Sequence, residues 1–383
     1  MKFKYGCIAV LVVVVVCEFG VPVDAEGCAL KYKKHVEDKP NFLVITKNQP
    51  GLCRINSHED NSTLNYHSDH KYADDIRPET VLGGLSLDHG AKTIIYWAKV
   101  ANVDHSRFYR VELNDSHWER VLEQDDDFRD VAFDWISKNL YVIMGSSRNL
   151  MVAVNAGRPW YPAVILTERS RLTSHAVHPN RGYLFFAETS FWYGARSRIY
   201  RAHLDGTNIR ELNRASSESR YYIASLLVDV YADRLYWCVP GLEKIQHSGL
   251  DGSEVRSIGA IKIYPGQLDP AARALAVDED HVYYRAIDAN AIRRVKKATG
   301  AKDPSFELVN DNEAAPITEI LAYTQVAQKT RNDHPCRDDE RGGCDKYCFA
   351  VPTENGTGLR RVCKCSFSEV LTADGVSCVK KGL

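Results

Sequence analysis

Short apolar runs closed by a polar residue recur along most of the chain: Leu85-Ser-Leu-Asp88, Val131-Ala-Phe-Asp134, Ala176-Val-His178, Leu226-Leu-Val-Asp229 and Leu275-Ala-Val-Asp278. The closing residues are 46, 44, 51 and 49 positions apart. Five to eight residues after each comes an aromatic-rich pair: Tyr96-Trp97, Leu140-Tyr141, Phe185-Phe186, Tyr236-Trp237 and Tyr283-Tyr284. Third strands are predicted over Phe108–Leu113, Leu150–Val154, Ile199–Leu204, Lys244–Leu250 and Ile292–Val295. Fourth strands follow over Glu119–Leu122, Ala163–Leu166, Ile209–Leu212, Val255–Ile258 and Phe306–Val309, with turn pairs such as Asp205-Gly206 and Asp251-Gly252 between. No stretch holds a helical period, so the chain reads as all-β.

Four short antiparallel strands at this spacing describe a propeller blade. Five copies are complete. Phe42–Thr46, Leu52–Ile55 and Thr63–Tyr66 supply strands two to four of another, and Ile317–Tyr323 supplies its first strand. The two chain ends together thus predict a sixth blade, which removes the open edges an unclosed array would leave.

The 383 residues suffice for one large or two ordinary domains, and 49 Lys+Arg against 50 Asp+Glu leaves no charge excess of the kind nucleic-acid binders carry. Lys2 and Lys4 precede an apolar run from Gly6 to Cys17 that is too short to span a bilayer, and Val23-Asp24-Ala25 offers a cleavage site. The expected division is a signal peptide over 1–25, an N-terminal arm over 26–41, the propeller over 42–331 and a cysteine-rich module over 332–380. No membrane span and a secreted, extracellular product are expected. Six of the 11 cysteines lie after residue 335, which points to a disulfide-stapled module and an oxidising compartment. Six cysteines allow 15 pairings.

The repeat resembles the six-bladed propeller of the low-density lipoprotein receptor family, whose second strands carry a Tyr-Trp-Thr-Asp motif. Tyr96-Trp97 and Tyr236-Trp237 match its aromatic half. Ala98-Lys99, Cys238-Val239 and Arg285-Ala286 replace the Thr-Asp half, which in the family ties neighbouring blades, so other bonds between blades are expected. The family places an epidermal-growth-factor-like module after the propeller. Here Cys336, Cys344, Cys348, Cys363, Cys365 and Cys378 are separated by 7, 3, 14, 1 and 12 residues, and Gly342-Gly343-Cys344 matches the family's Gly-Gly-Cys. The resemblance implies the pairs Cys336–Cys348, Cys344–Cys363 and Cys365–Cys378. His334-Pro335 before Cys336, and Ala350 two residues after Cys348, depart from the calcium-binding version, so no calcium is expected there.

The aromatic pairs sit at a fixed place in strand two and read as core. Cys28 and Cys53 can bridge the arm to the first blade or remain buried thiols, and Cys238 then reads as a buried, inert thiol. His58, His67 and His70 read as a solvated loop, and Asp125–Asp127 and Arg293-Arg294-Val-Lys296-Lys297 as solvated surface. Asn61, Asn114 and Asn355 open N-glycosylation sequons in predicted turns.

Phe191, Trp192, Tyr193 and Arg196 lie between strands two and three of one blade and form the candidate partner-binding site. In the family a Trp-Gly often sits there, on the face used for protein ligands. The bland alternative has Trp192 folded over the neighbouring blade. The expected function is non-catalytic binding of an extracellular or cell-surface protein, with no cofactor, as a soluble ligand or decoy or as a matrix component. The runner-up is a propeller hydrolase of the lactonase or phosphatase type with a channel metal. No repeat-phased Glu, Asn and Asp set, Gly-x-Ser-x-Gly or phosphate-cradling loop supports it.

Overall fold

The computed structural model describes residues 30–33, 40–46, 51–55, 80–100, 106–112, 118–124, 128–145, 150–154, 163–167, 171–190, 196–214, 223, 225–239, 244–258, 274–286, 290–313, 316–337 and 341–382. The chain is an all-β propeller followed by a disulfide-rich C-terminal unit.

Strands appear in chain order as β1 (Leu30–Tyr32), β2 (Phe42–Thr46) and β3 (Gly51–Ile55). Next come β4 (Thr80–Asp88), β5 (Thr93–Val100), β6 (Ser106–Glu112) and β7 (Trp118–Gln124), which form one antiparallel sheet. The following sheets are β8 (Phe128–Asp134), β9 (Asn139–Met144), β10 (Leu150–Val154), β11 (Ala163–Leu166), then β12 (Arg171–His178), β13 (Tyr183–Ser190), β14 (Arg196–His203), β15 (Arg210–Arg214). A further sheet comprises β16 (Ser225–Asp229), β17 (Arg234–Val239), β18 (Lys244–Gly249) and β19 (Arg256–Ile258). Last come β20 (Leu275–Val277), β21 (His281–Ala286), β22 (Ala291–Lys296), β23 (Lys302–Asn310), and then β24 (Ile317–Ala322).

The two chain ends meet as the repeat predicts: β24 pairs with β2, and β2 with β3. Residues 63–66 lie outside the described residues. One strand was not foreseen. β1, in the stretch read as an arm, adds to the outer edge of β23 with Leu30 opposite Asn310, and Lys33 reaches Glu307 at 2.9 Å. Three residues are too few for a period-2 pattern to declare itself.

The first strands of successive sheets lie side by side, β4 against β8, then β12, β16, β20 and β24, and β24 returns to β4. The aromatic second strands fill the spaces between sheets: Tyr96, Trp97, Tyr141, Phe185, Phe186, Tyr236, Trp237, Tyr283 and Tyr284 are all buried. Sheets this close to one another bury both faces, which explains why the strand-two residues are apolar in succession rather than alternating.

Within the basic run at 293–297, read as solvated surface, Lys296 is exposed as expected, whereas Arg293, Arg294 and Lys297 are not simply solvated. Arg293 pairs with Glu307 at 2.7 Å, Arg294 with Asp303 at 2.8 Å while lying 4.6 Å over the Phe306 ring, and Lys297 with Asp229 at 2.5 Å. Each of these three charges has a carboxylate waiting on a neighbouring strand or sheet, so Arg294 and Lys297 are drawn inward.

The C-terminal unit contains β25 (Tyr347–Pro352) paired with β26 (Leu359–Lys364), and β27 (Glu369–Leu371) paired with β28 (Cys378–Lys380). Disulfides join Cys336 to Cys348, Cys344 to Cys363 and Cys365 to Cys378, with Cα separations of 5.6, 5.4 and 5.6 Å. β25 alternates: Cys348 and Ala350 face the unit's own interior, whereas Tyr347, Phe349 and Val351 join the propeller core beside Tyr141, Leu184 and Phe186.

Candidate functional site

The ring leaves two faces and a channel, and the chain uses one face for itself. The β12–β13 turn carries Gly182, whose neighbours include Ala350, Pro352 and Leu359 of the C-terminal unit. The β8–β9 turn leads into Asn139, whose Nδ2 donates to Cys348 O at 2.8 Å. Between ring and unit runs the connector after β24. Trp135 Nε1 and Asn180 Nδ2 both donate to Lys329 O, at 3.2 and 2.7 Å, and Arg331 Nη1 donates to Asn180 O at 3.1 Å. These contacts seat the unit against the first-to-second-strand turns of the second and third sheets.

That connector also crosses the channel. A cavity of about 110 Å³ is walled by the first strands, including Leu87, Phe133, Val177, Leu226 and Leu275, with Gln328 on its lining. Gln328 accepts from His89 N–H at 2.7 Å and donates to Leu87 O, so its side-chain amide extends the edge of β4. The wall side chains with polar atoms are Ser86, His175, Trp135 and Gln328. Among the described residues no group of three or more His, Cys, Asp and Glu side chains is placed to hold a metal ion.

The bonds that replace the missing Thr-Asp half of the motif lie around this channel. Asp130 Oδ2, on β8, accepts from the His175 N–H of β12 at 2.8 Å, from Ser174 Oγ at 3.1 Å, and faces His175 Nδ1 at 2.9 Å. His175 Nε2 points at Tyr141 O, 3.1 Å away, so both ring nitrogens face acceptors on the second sheet. Ser174 Oγ also accepts the Leu226 N–H of β16 at 3.1 Å and so passes the link to the fourth sheet. Lys297 joins the fourth and fifth sheets through Asp229, and Arg285 Nη1 joins the fifth to β24 through the carbonyls of Ile317 and Thr318, both at 2.8 Å. Every one of these groups is buried or half-buried with its partner in place, as buried charge requires.

The strand-one aspartates perform a local task. Asp134 Oδ1 accepts from Ile136 N–H and Ser137 N–H, both at 3.0 Å, and Asp229 Oδ1 from Tyr231 and Ala232 N–H, both at 3.1 Å. They cap the hairpin turns. Where His178 substitutes, a 3-10 turn over Pro179–Arg181 takes over, and His178 Nε2 bonds Asp233 Oδ1 at 2.8 Å.

The candidate partner-binding residues Phe191, Trp192 and Tyr193 lie outside the described residues, as does the side chain of Arg196. Their flanks are described: Ser190, the last residue of β13, pairs with Arg196, the first of β14. Gly182 joins β12 to β13 at the other end of the same strands, against the C-terminal unit. Cys28 and the side chain of Cys53 are also outside the described residues, as are Asn61, Asn114, His58, His67, His70 and Asp125–Asp127. Asn355 is exposed in a turn, its Oδ1 accepting from Thr353 Oγ1 at 2.7 Å and from Thr357 N–H and Oγ1 at 3.2 and 2.9 Å. Cys238 is a buried free thiol whose pKa burial pushes up to about 12.

No family model matches the chain. Over 253 residues it is 26% identical to the vitellogenin receptor of Solenopsis invicta, a stretch covering 66% of this chain and 13% of the receptor. Over 249 residues it is 27% identical to low-density lipoprotein receptor-related protein 5 of Homo sapiens, covering 65% of this chain and 14% of that protein. The match thus spans a small part of relatives that are much longer. Among solved structures, a chain of a nidogen/laminin complex aligns with a TM-score of 0.59 and 14% identity, over 75% of this chain and 99% of that one. TolB from Acinetobacter baumannii aligns with a TM-score of 0.55 and 10% identity, over 75% and 67%. These two likenesses concern the fold. The resemblance to the low-density lipoprotein receptor family, first visible in the aromatic pairs, stands in the sequence relatives as well. Among the described residues no helix is long and apolar enough to cross a membrane.

Proposed function

With similarity to low-density lipoprotein receptor-related propellers as the premise, we propose that this chain is a secreted, non-catalytic glycoprotein that binds an extracellular or cell-surface protein. Its six sheets act as six blades, and the C-terminal unit as an epidermal-growth-factor-like module. The observation that carries the reading is the use of the two faces. Connector and module occupy one and close over the channel, and this reading assigns the partner to the other. In this reading Phe191, Trp192, Tyr193 and Arg196 serve that face; what supports it is that Ser190 and Arg196 pair at the end of the β13–β14 hairpin away from Gly182. Aromatic and arginine side chains there suit a protein hot spot. A glycan on Asn355 belongs to the module side.

Within this reading the chain serves as a soluble ligand or decoy, or as a matrix component. Affinity capture from extracellular fluid and from matrix extract, using wild type and Trp192→Ala, tests it. The expected result is a partner retained by the wild type and lost by a variant that melts at the same temperature. A variant that melts normally and captures the same partner equally well removes the loop from the reading. Stoichiometric metal in the purified chain together with esterase or lactonase turnover overturns the non-catalytic assignment.

A further inference from the structure

One seven-residue turn is used twice, in consecutive sheets. Leu204-Asp-Gly-Thr-Asn-Ile-Arg210 and Leu250-Asp-Gly-Ser-Glu-Val-Arg256 share their pattern residue for residue. His203 N–H donates to Thr207 O and Gly249 N–H to Ser253 O, while Asn208 and Glu254 hold positive φ of 53° and 52°. Each turn delivers an exposed arginine to the outer strand.

In the third sheet Arg210 stands directly opposite Arg201. Like charges across a ladder are unfavourable unless something negative lies between them. Arg201 lies 4.4 Å over the Tyr183 ring and donates to Leu250 O at 3.1 Å, whereas among the described residues Arg210 donates only through Nε, to Asn208 Oδ1 at 3.3 Å. Asn208 Nδ2 reaches His203 Nε2 at 3.0 Å. The module completes the corner. Leu359 packs on Gly182, the Gly182 carbonyl accepts the Leu204 N–H, and exposed Arg360 follows Leu359.

Around His203 three guanidinium groups face the carboxylate of Asp205, and Asp251 lies within reach of Arg201. Burial lowers the pKa of His203, Asp205 opposes that, and Arg360, Arg201 and Arg210 add to the lowering. Asp205 is already engaged: Oδ1 accepts from Thr207 N–H and Oγ1, and Oδ2 lies 4.0 Å from Lys364 Nζ. Among the described residues no carboxylate forms an ion pair with Arg210, Arg256 or Arg360.

We propose that the corner where Arg201, Arg210 and Arg360 surround His203 binds a sulfate group of a sulfated polysaccharide through these guanidinium groups, and that Arg256 engages a further sulfate one sheet along. Guanidinium forks present paired donors to a tetrahedral oxyanion. The corner is open and the arginine recurs at the same turn position, which fits a chain of repeated charge better than a single small ion. It lies at the module end of β14, away from residues 191–196, so its failure and that of the protein-binding reading are separate outcomes.

The test uses the full chain on immobilised heparin, with chemically desulfated heparin, free sulfate and polyglutamate as competitors. Wild type is expected to bind heparin at about 0.15 M salt, with affinity falling as salt rises. Desulfated heparin, free sulfate and polyglutamate are expected to compete poorly. Arg210→Gln combined with Arg360→Gln is expected to weaken binding roughly tenfold or more at unchanged melting temperature, and the matching Arg→Lys pair to weaken it less. Heparin should also shift the His203 ring resonances of the wild type, a readout that needs no variant. Equal competition by polyglutamate, which points to an acidic protein surface instead, overturns the proposal. So do a well-folded Gln pair with unchanged affinity and a His203 resonance that heparin leaves in place.

Discussion

Glu319 Oε1 accepts the backbone N–H of Gly84 at 2.8 Å, across 235 residues of chain. Its Oε2 takes the next N–H, that of Leu85, also at 2.8 Å. The β4–β5 ladder slips between Gly83 and Ser86, which frees those two N–H groups from sheet pairing. Gly84 holds φ +66°, and a Cβ there would lie 2.4 Å from the Trp97 ring. A carboxylate from the last strand of the ring therefore satisfies a bulge in the first complete sheet, and so fastens the ring at its seam.

Glu319→Ala removes the carboxylate that accepts from two buried N–H groups and is expected to destabilise the fold by about 2–4 kcal/mol, Glu319→Gln by less. Urea unfolding of the three proteins checks this. An Ala variant as stable as wild type would mean that the seam is held elsewhere.

Gly182→Ala is expected to unseat the module rather than unfold the ring. The added Cβ would stand 2.7 Å from Ala350 O, at a residue with φ +71°. Limited proteolysis should cut the variant faster in the connector, residues 323–335, while the propeller fragment persists. Asn139→Ala, which leaves Cys348 O without its buried donor, should act in the same direction.

Acid is expected to destabilise the chain in two steps. His247 has its pKa lowered to about 4 from 6.5, by burial first and then by Arg234 and Arg256. The unfolded chain takes up that proton as pH falls below 6.5 and the folded chain does so only near 4, so stability is complete above 6.5 and is lost between those values. Asp303 is a depressed acid, at about 2 against 3.8. Ser305 and Arg294 hold its charged form against burial, so its contribution is present above 3.8 and is lost between 3.8 and 2. Melting temperature against pH reads both steps. His247→Gln, whose amide oxygen can still accept from Arg234, should flatten only the upper one.

Cys238 should resist alkylation by iodoacetamide at pH 8 in the folded protein and react after denaturation. It is fully buried, and its thiol is pushed up to about 12. Rapid labelling without denaturant would contradict both its burial and its protonated state.

Much of the ring was legible because a repeat announces itself. The polar residue that closes each first strand and the aromatic pair that follows recur at one spacing, and the leftover segments at 42–55 and 317–323 had only one place to pair. The ties between sheets were not legible. Asp130, Ser174 and Glu319 share one repeat position, four residues before the one that closes the first strand, but different side chains fill it from sheet to sheet. Like Arg285, each meets its partner only when neighbouring sheets are side by side. The same reason hid the burial of Arg294 and Lys297, whose carboxylates come from other strands.

By itself the sequence determined the all-β architecture, the order and approximate limits of the strands, and the cysteine-rich end, because period, turn chemistry and composition are local properties. Tertiary structure alone decided which charges hold the ring closed, that Gln328 stops one end of the channel, and that Arg360 joins Arg201, His203 and Arg210 at one corner. These depend on side chains far apart in the chain and close in space. A linear pattern carries no term for such distances, whereas the cost of burying an unpaired polar group enforces them in the fold.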